Sequence, residues 1–321
     1  MSGGSQGGDP RSVRLGPGRE FDAIRAMVEV WGDRARGIGD DAAVLEAPAG
    51  ERIVVSTDAA VEGVHVRLGW MRPREIGWRA AAAALSDLAA MAATPLGVVV
   101  GLALPEGWRG ELTHLAAGIG DACAHAAVPI VGGNLTASGE MSIVCTVIGS
   151  AAAPIPRSGA RPGDAVYVTG RLGGPGAALQ SLRRQEHPLD ELRHRLVHPV
   201  PRLAEARWLA ARGARAMIDI SDGLAADLRH MAAASGALIV LELERVPLIL
   251  PMAPEDAVRS GEEFELAVAG PAIDEAAFAR EFELPLTRVG VVEQGPGELV
   301  VTRAGERVAP PAGYDHFSAH A

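Results

Sequence analysis

Short apolar runs rich in β-branched residues alternate with helix-patterned stretches along nearly all of this 321-residue chain. That alternation restricts the fold to a class in which helices pack on sheets, α/β or α+β. The first half reads as a helix (Glu20–Val30), strands at Ala42–Leu45 and Arg52–Thr57, and a long Ala-rich helix (Pro73–Ala93). A strand (Gly97–Leu104), a helix (Gly110–Ala126) and strands at Val128–Val131 and Met141–Ser150 complete it. A Pro/Gly-rich segment, AAAPIPRSGARPGD (151–164), marks the crossing into a second half. Strands are expected there at 165–170, Ala216–Ile220, Ala237–Glu242 and 263–270, with helices at Gly176–Arg184, after Pro199 and Pro201, and after Gly223. The length fits two domains, 19–150 and 151–321, behind a Gly-, Ser- and Pro-rich tail at 1–18 that is expected to be mobile.

Composition removes several kinds of function. No apolar run reaches the roughly eighteen residues that a membrane span needs. The opening MSGGSQGGDPRSVRLGPG lacks the apolar core of a signal peptide. Cys123 and Cys145 are too few for a disulfide framework or a Cys-based zinc site, and fit two buried thiols in a reducing cytoplasm. A net charge of −10 argues against nucleic-acid binding, which needs a basic face. All 30 basic residues are arginine. A chain without lysine cannot carry a Walker A loop, the protein-kinase strand lysine or a Schiff base.

Carboxylates recur where apolar runs end or turn. In AMIDISDGLAADL (216–228) Asp219 lies inside a run that reads as a buried strand, and Asp222 opens the following turn. A buried carboxylate is costly unless paired, hydrogen-bonded or bound to metal. GIGDD (37–41) presents Asp40 and Asp41 from a Gly-rich loop, and VVSTDAAVEG (54–63) is expected to end a strand on Ser56, Thr57 and Asp58. Asp87 stands alone in the apolar helix AALSDLAAMAA (83–93). Taken singly, each has a plainer reading: Asp58 in a turn, Asp222 as a helix N-cap, Asp40 and Asp41 in an Asx turn. Brought together, such carboxylates would repel one another unless cations neutralised them. Oxygen ligands without clustered Cys or His suit Mg²⁺, which commonly serves substrate phosphates. The expected chemistry is therefore Mg²⁺-dependent phosphoryl transfer without a P-loop. In PIVGGNLTASG (129–139) a buried strand runs into Gly132 and Gly133, where the backbone could approach a phosphate or simply turn. Arg157 could meet a phosphate or lie on the surface; His65, near Asp58, could serve the site or be a solvated or core histidine.

In this order, GIGDDAAVL, STDAAVEGVH, LSDLAAMAATP, GGNLTASGEMS, RSGARPGD, IDISDGLAADL, SGEEFEL and GYDHF resemble the thiamine-monophosphate kinases. Their superfamily includes aminoimidazole-ribonucleotide synthetase, selenophosphate synthetase and a hydrogenase-maturation factor. The likeness runs from REFDAI to GYDHF. It implies a two-domain aminoimidazole-ribonucleotide synthetase-like fold: an N-terminal α/β domain that forms a barrel with its partner's strands in a homodimer, then an α+β domain. ATP and several Mg²⁺ ions would lie in the cleft between them. The resemblance implies Asp41, Asp58, Asp87, Asp219 and Asp222 as metal ligands, and Ser56, Thr57, Gly133, Arg157 and Ser221 as ATP contacts. His65, Glu262 and Phe317 would line the thiamine-phosphate site. The implied reaction passes the γ-phosphoryl group of ATP directly to the phosphate of thiamine monophosphate, giving thiamine diphosphate without a covalent enzyme intermediate. Positioning and charge neutralisation supply most of the catalysis in such transfers, so no lysine is required.

The chain also departs from the family. Asn134 stands where Gly-Gly is usually followed by a metal-ligating aspartate, and SGEEFEL replaces Gly-Gly-Glu-Asp-Tyr-Glu-Leu, which changes Ser260, Glu263 and Phe264 but keeps Glu262. The alternative expectation is a nucleotide- or thiamine-phosphate-binding homologue whose turnover is lost through Asn134. The other relatives fit less well: the chain ends FSAHA without a reactive cysteine, has no cysteine before Cys123, and has no lysine for the synthetase motif.

Overall fold

The structure, a computed structural model, describes residues 18–39, 41–249, 252–311 and 313–314, which fall into two compact units. The first comprises the described residues up to Leu85 together with Pro95–Ser150; the second comprises Ser86–Thr94 and the described residues from Ala151 onward. Among the described residues no helix is long and apolar enough to cross a membrane.

The first unit holds α1 (Arg19–Trp31), β1 (Arg52–Val61), α2 (Pro73–Ala90, its last turn in the second unit), β2 (Thr94–Leu104), α3 (Leu112–His125), β3 (Ile130–Ala137) and β4 (Ser142–Ala151). Its sheet runs β1-β4-β2-β3, with β2 and β3 parallel and joined through α3. Residues Ala42–Leu45, expected as a strand, form none: the stretch is irregular and Val44 is 93% exposed. A four-residue apolar run specifies a strand only where a neighbour accepts its backbone, and none among the described residues does so. β1 runs on to Val61, its backbone continuing through Ala59 and Ala60, so Ser56, Thr57 and Asp58 lie within the strand rather than at its end. Ser56 and Asp58 share its half-buried face; Ile53, Val55 and Thr57 point outward.

β3 likewise continues through Gly132 and Gly133 to Ala137. The glycine pair is no turn. β2 lies so close that a Cβ at position 133 would overlap the Val100 carbonyl oxygen. The same device joins α2 to α3, where Gly77 faces the Leu115 carbonyl and Gly118 faces the Arg74 carbonyl, again without room for a Cβ. Arg74 Nε closes the rim of that crossing on Asp121 Oδ2 at 2.8 Å, and Trp31 of α1 donates through Nε1 to the Ala116 carbonyl at 2.8 Å.

The second unit holds β5 (Ala165–Thr169), α4 (Gly174–Arg183), α5 (Asp190–Val197), α6 (Leu203–Ala210), β6 (Ala216–Asp219) and α7 (Leu224–Ser235). β7 (Leu238–Glu242), α8 (Pro254–Ala257), β8 (Leu266–Gly270), α9 (Glu275–Phe282), β9 (Leu286–Glu293), β10 (Leu299–Arg303) and β11 (Glu306–Val308) follow. The sheet order is β11-β10-β7-β9-β5-β8-β6, with every pair antiparallel except β7–β10. β5, β6 and β8 are buried at every position, which is why they read as unbroken apolar runs. The strand expected at 263–270 starts only at Leu266, since Glu262 and Phe264 turn left-handed just before it.

The helix crossing is directly testable. Gly118→Ala should cost about 1–3 kcal/mol of stability in urea unfolding, the scale of an overpacked contact that cannot relax. Gly110→Ala, whose Cβ would meet nothing within 4 Å, should stay within about 0.5 kcal/mol. Equal, small effects at both positions would contradict the backbone-to-backbone approach.

Candidate functional site

In the second unit, polar residues gather at the end of β6. Asp219 is the last residue of that strand and only 7% exposed. Its Oδ2 accepts the hydroxyl of Ser86 at 2.8 Å, and Ser86 is fully buried in the last turn of α2. Asp87, the next residue, is half-buried. Beyond β6 the chain turns through Ser221 and Asp222, both half-buried, to Gly223 at φ 108°. A Cβ on Gly223 would stand 2.9 Å from the carbonyl oxygens of Val258 and Arg259, so this turn requires glycine twice over.

α7 has no side-chain cap at its own N-cap. Asp227, in its first turn and 2% exposed, accepts hydrogen bonds from the backbone N–H groups of Ser221 and Asp222 and so ties the turn to the helix. Burial, and then the charges of Asp219 and Asp222, push the Asp227 carboxyl up to about 8. Its Oδ2 is buried without a hydrogen-bond partner among the described residues. Sequence reading missed both Asp227 and Ser86. Asp227 carried a signal, a third carboxylate one turn beyond DISDG in an otherwise apolar helix start; Ser86 carried only its place in LSDL, because its role is a contact made 133 residues away.

The segment 260–265 runs beside this turn. Ile220 N–H donates to the Glu265 carbonyl (2.8 Å), Phe264 N–H to the Ile220 carbonyl (3.0 Å) and Glu262 N–H to the Ser221 carbonyl (2.7 Å). The antiparallel pairing of β6 with β8 thereby extends past both strands and sets Glu262, half-buried, opposite Ser221. The C-terminal stretch returns to the same place, Tyr314 N–H donating to the Asp222 carbonyl at 3.2 Å. Phe317 lies outside the described residues. Arg157 is exposed; the preceding Pro156 accepts Met217 N–H at 3.1 Å, so this segment follows the outer edge of β6.

In the first unit, Asp58 Oδ1 accepts Ala59 N–H at 2.7 Å, and Thr57 Oγ1 lies 3.1 Å from Thr146 Oγ1 on the opposite, outward face. Burial pushes the Cys123 thiol up to about 12, and burial, Cys123 and Asp58 push Cys145 up as well; both are free, protonated and unreactive. His65 is half-buried and accepts Val61 N–H on Nδ1 at 3.3 Å, folding back over the end of β1. Asp41 is exposed beside its Gly-rich loop; Gly133 and Asn134 are exposed on β3, Asn134 opposite Gly101. Among the described residues no three His, Cys, Asp or Glu side chains already stand as a metal site. The acids at the end of β6 nonetheless fit a hard cation: they are oxygen donors, they crowd one another, and one buried oxygen is unsatisfied.

The chain matches the models of the AIR synthase related protein family, the N-terminal domain over residues 39–151 and the C-terminal domain over 161–302. It is 31% identical over 302 residues to the thiamine-monophosphate kinase of Bacillus subtilis (strain 168), spanning 88% of this chain and 93% of that protein. The crystal structure of thiamine-monophosphate kinase from Stenotrophomonas maltophilia K279a superimposes with a TM-score of 0.80 at 32% identity, covering 88% of this chain and 97% of that one. AaThiL complexed with AMPPCP and TMP superimposes with a TM-score of 0.74 at 28% identity, covering 92% and 96%.

The raised Asp227 carboxyl has a sign that can be checked. Its folded value lies above its unfolded value near 3.8, so the stability it contributes is present below about pH 4 and is lost as pH rises towards 8. Without added metal, Asp227→Asn should therefore stabilise the protein by a few kcal/mol at pH 8 and have little effect below about pH 4. Denaturant unfolding at the two pH values measures this, and equal effects at both would show that the Asp227 carboxyl is not raised in the fold.

Proposed function

The chain belongs to the thiamine-monophosphate kinases of the AIR synthase related family, and from that membership we propose direct, in-line transfer of the γ-phosphoryl group of ATP to thiamine monophosphate. The observation that carries the reading is the end of β6, where Asp219, Ser221 and Asp222 share one turn with Glu262 paired across it. The AMPPCP and TMP held by a relative of the same fold support ATP and thiamine monophosphate as the two substrates.

Asp41 and Asp58 of the first unit, and Asp87, Asp219 and Asp222 of the second, would hold Mg²⁺, with the amide oxygen of Asn134 as a neutral sixth ligand. Bound Mg²⁺ would neutralise phosphate charge and orient the triphosphate. The protein's own part is positioning. Ser86 fixes the Asp219 carboxylate from the side, and Asp227 holds the backbone of Ser221 and Asp222, so the acids are placed before substrate arrives. Ser56, Thr57, Gly133, Arg157 and Ser221 would contact ATP, Arg157 through its guanidinium charge. Glu262, His65 and Phe317 would face thiamine monophosphate. No enzyme nucleophile takes part: both thiols are protonated and lysine is absent, which supports a single transfer between the substrates. The same reduced, buried thiols support a cytoplasmic setting.

The first sheet supports a homodimer. β1 is an edge strand whose outward face shows Ile53 (50% exposed) and Val55 (60%), and Val144 of the neighbouring β4 is exposed as well. An exposed apolar strip on a sheet edge associates unless it is covered, and we assign a second copy of the chain to cover it.

Two outcomes are expected. ADP should form only with thiamine monophosphate present, should stop on chelation of Mg²⁺, and in Asp219→Asn should form about a hundredfold more slowly from a folded protein, the scale of one lost preorganised electrostatic contact. Phosphorylation of a different acceptor but not of thiamine monophosphate would overturn the assignment. Light scattering should give twice the chain mass for the wild type and a monomer for Val55→Asp; a wild-type monomer at micromolar concentration would remove the dimer.

A further inference from the structure

Helix α4 starts at Gly173 without a cap from its own sequence. The missing acceptors come from far along the chain. Gly173 N–H donates to Glu263 Oε1 at 2.7 Å, and Gly176 N–H donates to Ser260 Oγ at 3.0 Å. The Ser260 hydroxyl donates in turn to Glu263 Oε1. One buried pair thus satisfies two of the donors that a helix start leaves open. Ser260 and Glu263 are also two of the positions at which SGEEFEL departs from its family's usual motif. Because they touch each other and the same helix end, the two departures form a single unit.

Between and beside them the backbone is strained. Glu262 has φ 60° and Phe264 φ 51°, a left-handed conformation that costs a non-glycine residue about 1–3 kcal/mol and persists only where the surroundings over-determine it. The far end of the segment is fixed independently: Glu265, 1% exposed, accepts Arg202 Nε at 2.8 Å, Arg195 at 3.1 Å and Thr169 Oγ1 at 2.7 Å. At the near end, the side chains of Ser260 and Glu263 tie the segment to α4, beside the backbone bonds of Glu262 to Ser221 and of Phe264 to Ile220.

We propose that Ser260 and Glu263 are positioning residues for Glu262: by capping α4 they lock the 260–264 turn and hold Glu262 in the orientation that meets thiamine monophosphate. The inference rests on the assignment of Glu262 to the substrate side made above. Burial pushes the Glu263 carboxyl up to about 8, against the pull of its hydrogen bonds from Ser260 and Gly173. The cap therefore works as a neutral acid, and glutamine has the same shape and can accept the same two bonds.

The test is steady-state kinetics of Ser260→Ala, Glu263→Ala, the double variant and Glu263→Gln, with thermal unfolding of each. Ser260→Ala and Glu263→Ala should each raise KM for thiamine monophosphate about tenfold, roughly the worth of one lost cap, with kcat and the ATP dependence changed less than about threefold. The double variant should be no worse than the poorer single, because the two residues act as one unit. Glu263→Gln should lie within about twofold of the wild type. Additive effects, or a glutamine variant as impaired as the alanine one, would overturn the proposal. So would lowered melting temperatures with unshifted KM, which mark a purely structural cap. If Glu263→Ala does not fold, the milder Ser260→Ala decides the matter. A wild type that never turns over thiamine monophosphate would sink the functional reading before any variant is compared, whereas turnover with unshifted KM in both alanine variants sinks only the positioning role.

Discussion

Asp219 and Asp227 are carboxylates taken almost wholly out of water at one end of β6, and much of the second unit is arranged around that cost. An unpaired charge in such a place is destabilising by several kcal/mol unless something compensates it. The hydroxyl of Ser86 and the backbone of Ser221 and Asp222 supply part of the compensation. The Ser86 bond joins the last turn of α2 to the end of β6, where the pairing of β6 with β8 continues into the irregular 260–265 segment.

Other buried charges of the same unit are settled differently. Burial would raise Glu265, but the charge and hydrogen bonds of Arg202, with Arg195 and Thr169, hold it below the usual carboxylate range. Asp164, 1% exposed, is closed by Arg215 and by Arg161 N–H. Asp227 moves the opposite way, raised by burial and then by the charges of Asp219 and Asp222. Glu265 and Asp164 come with arginines, whereas Glu263 is held by Ser260 and Gly173 N–H. At the end of β6, Asp219 and Asp222 add their charges to the burial that raises Asp227.

The strand, turn and helix around DISDG were legible in the sequence because an apolar run, a glycine and an amphipathic stretch report on local structure. Contacts made across the fold were not. Nothing in LSDL says that Ser86 will reach Asp219, and nothing in SGEEFEL says that Ser260 and Glu263 will cap a helix some ninety residues earlier. Gly133 shows the same limit from the other side: Gly-Gly reads as a turn, yet it is required inside a strand by Val100 on the next one. The end of β1 was misplaced because small Ala59 and Ala60 carry almost no alternation signal, although the backbone continues through them. Which function these elements serve became legible only from eight short motifs read in order, each weak alone.

The central claim is that the acids at the end of β6 hold the metal of a metal–nucleotide substrate. Crystals grown with Mn²⁺ and AMPPCP, measured for anomalous scattering, test it most directly. The account predicts manganese peaks within coordination distance of the Asp219 and Asp222 carboxylates, with the nucleotide's phosphates on the same ions. Bound nucleotide with its metal elsewhere, and with both carboxylates clear of it, would contradict the account.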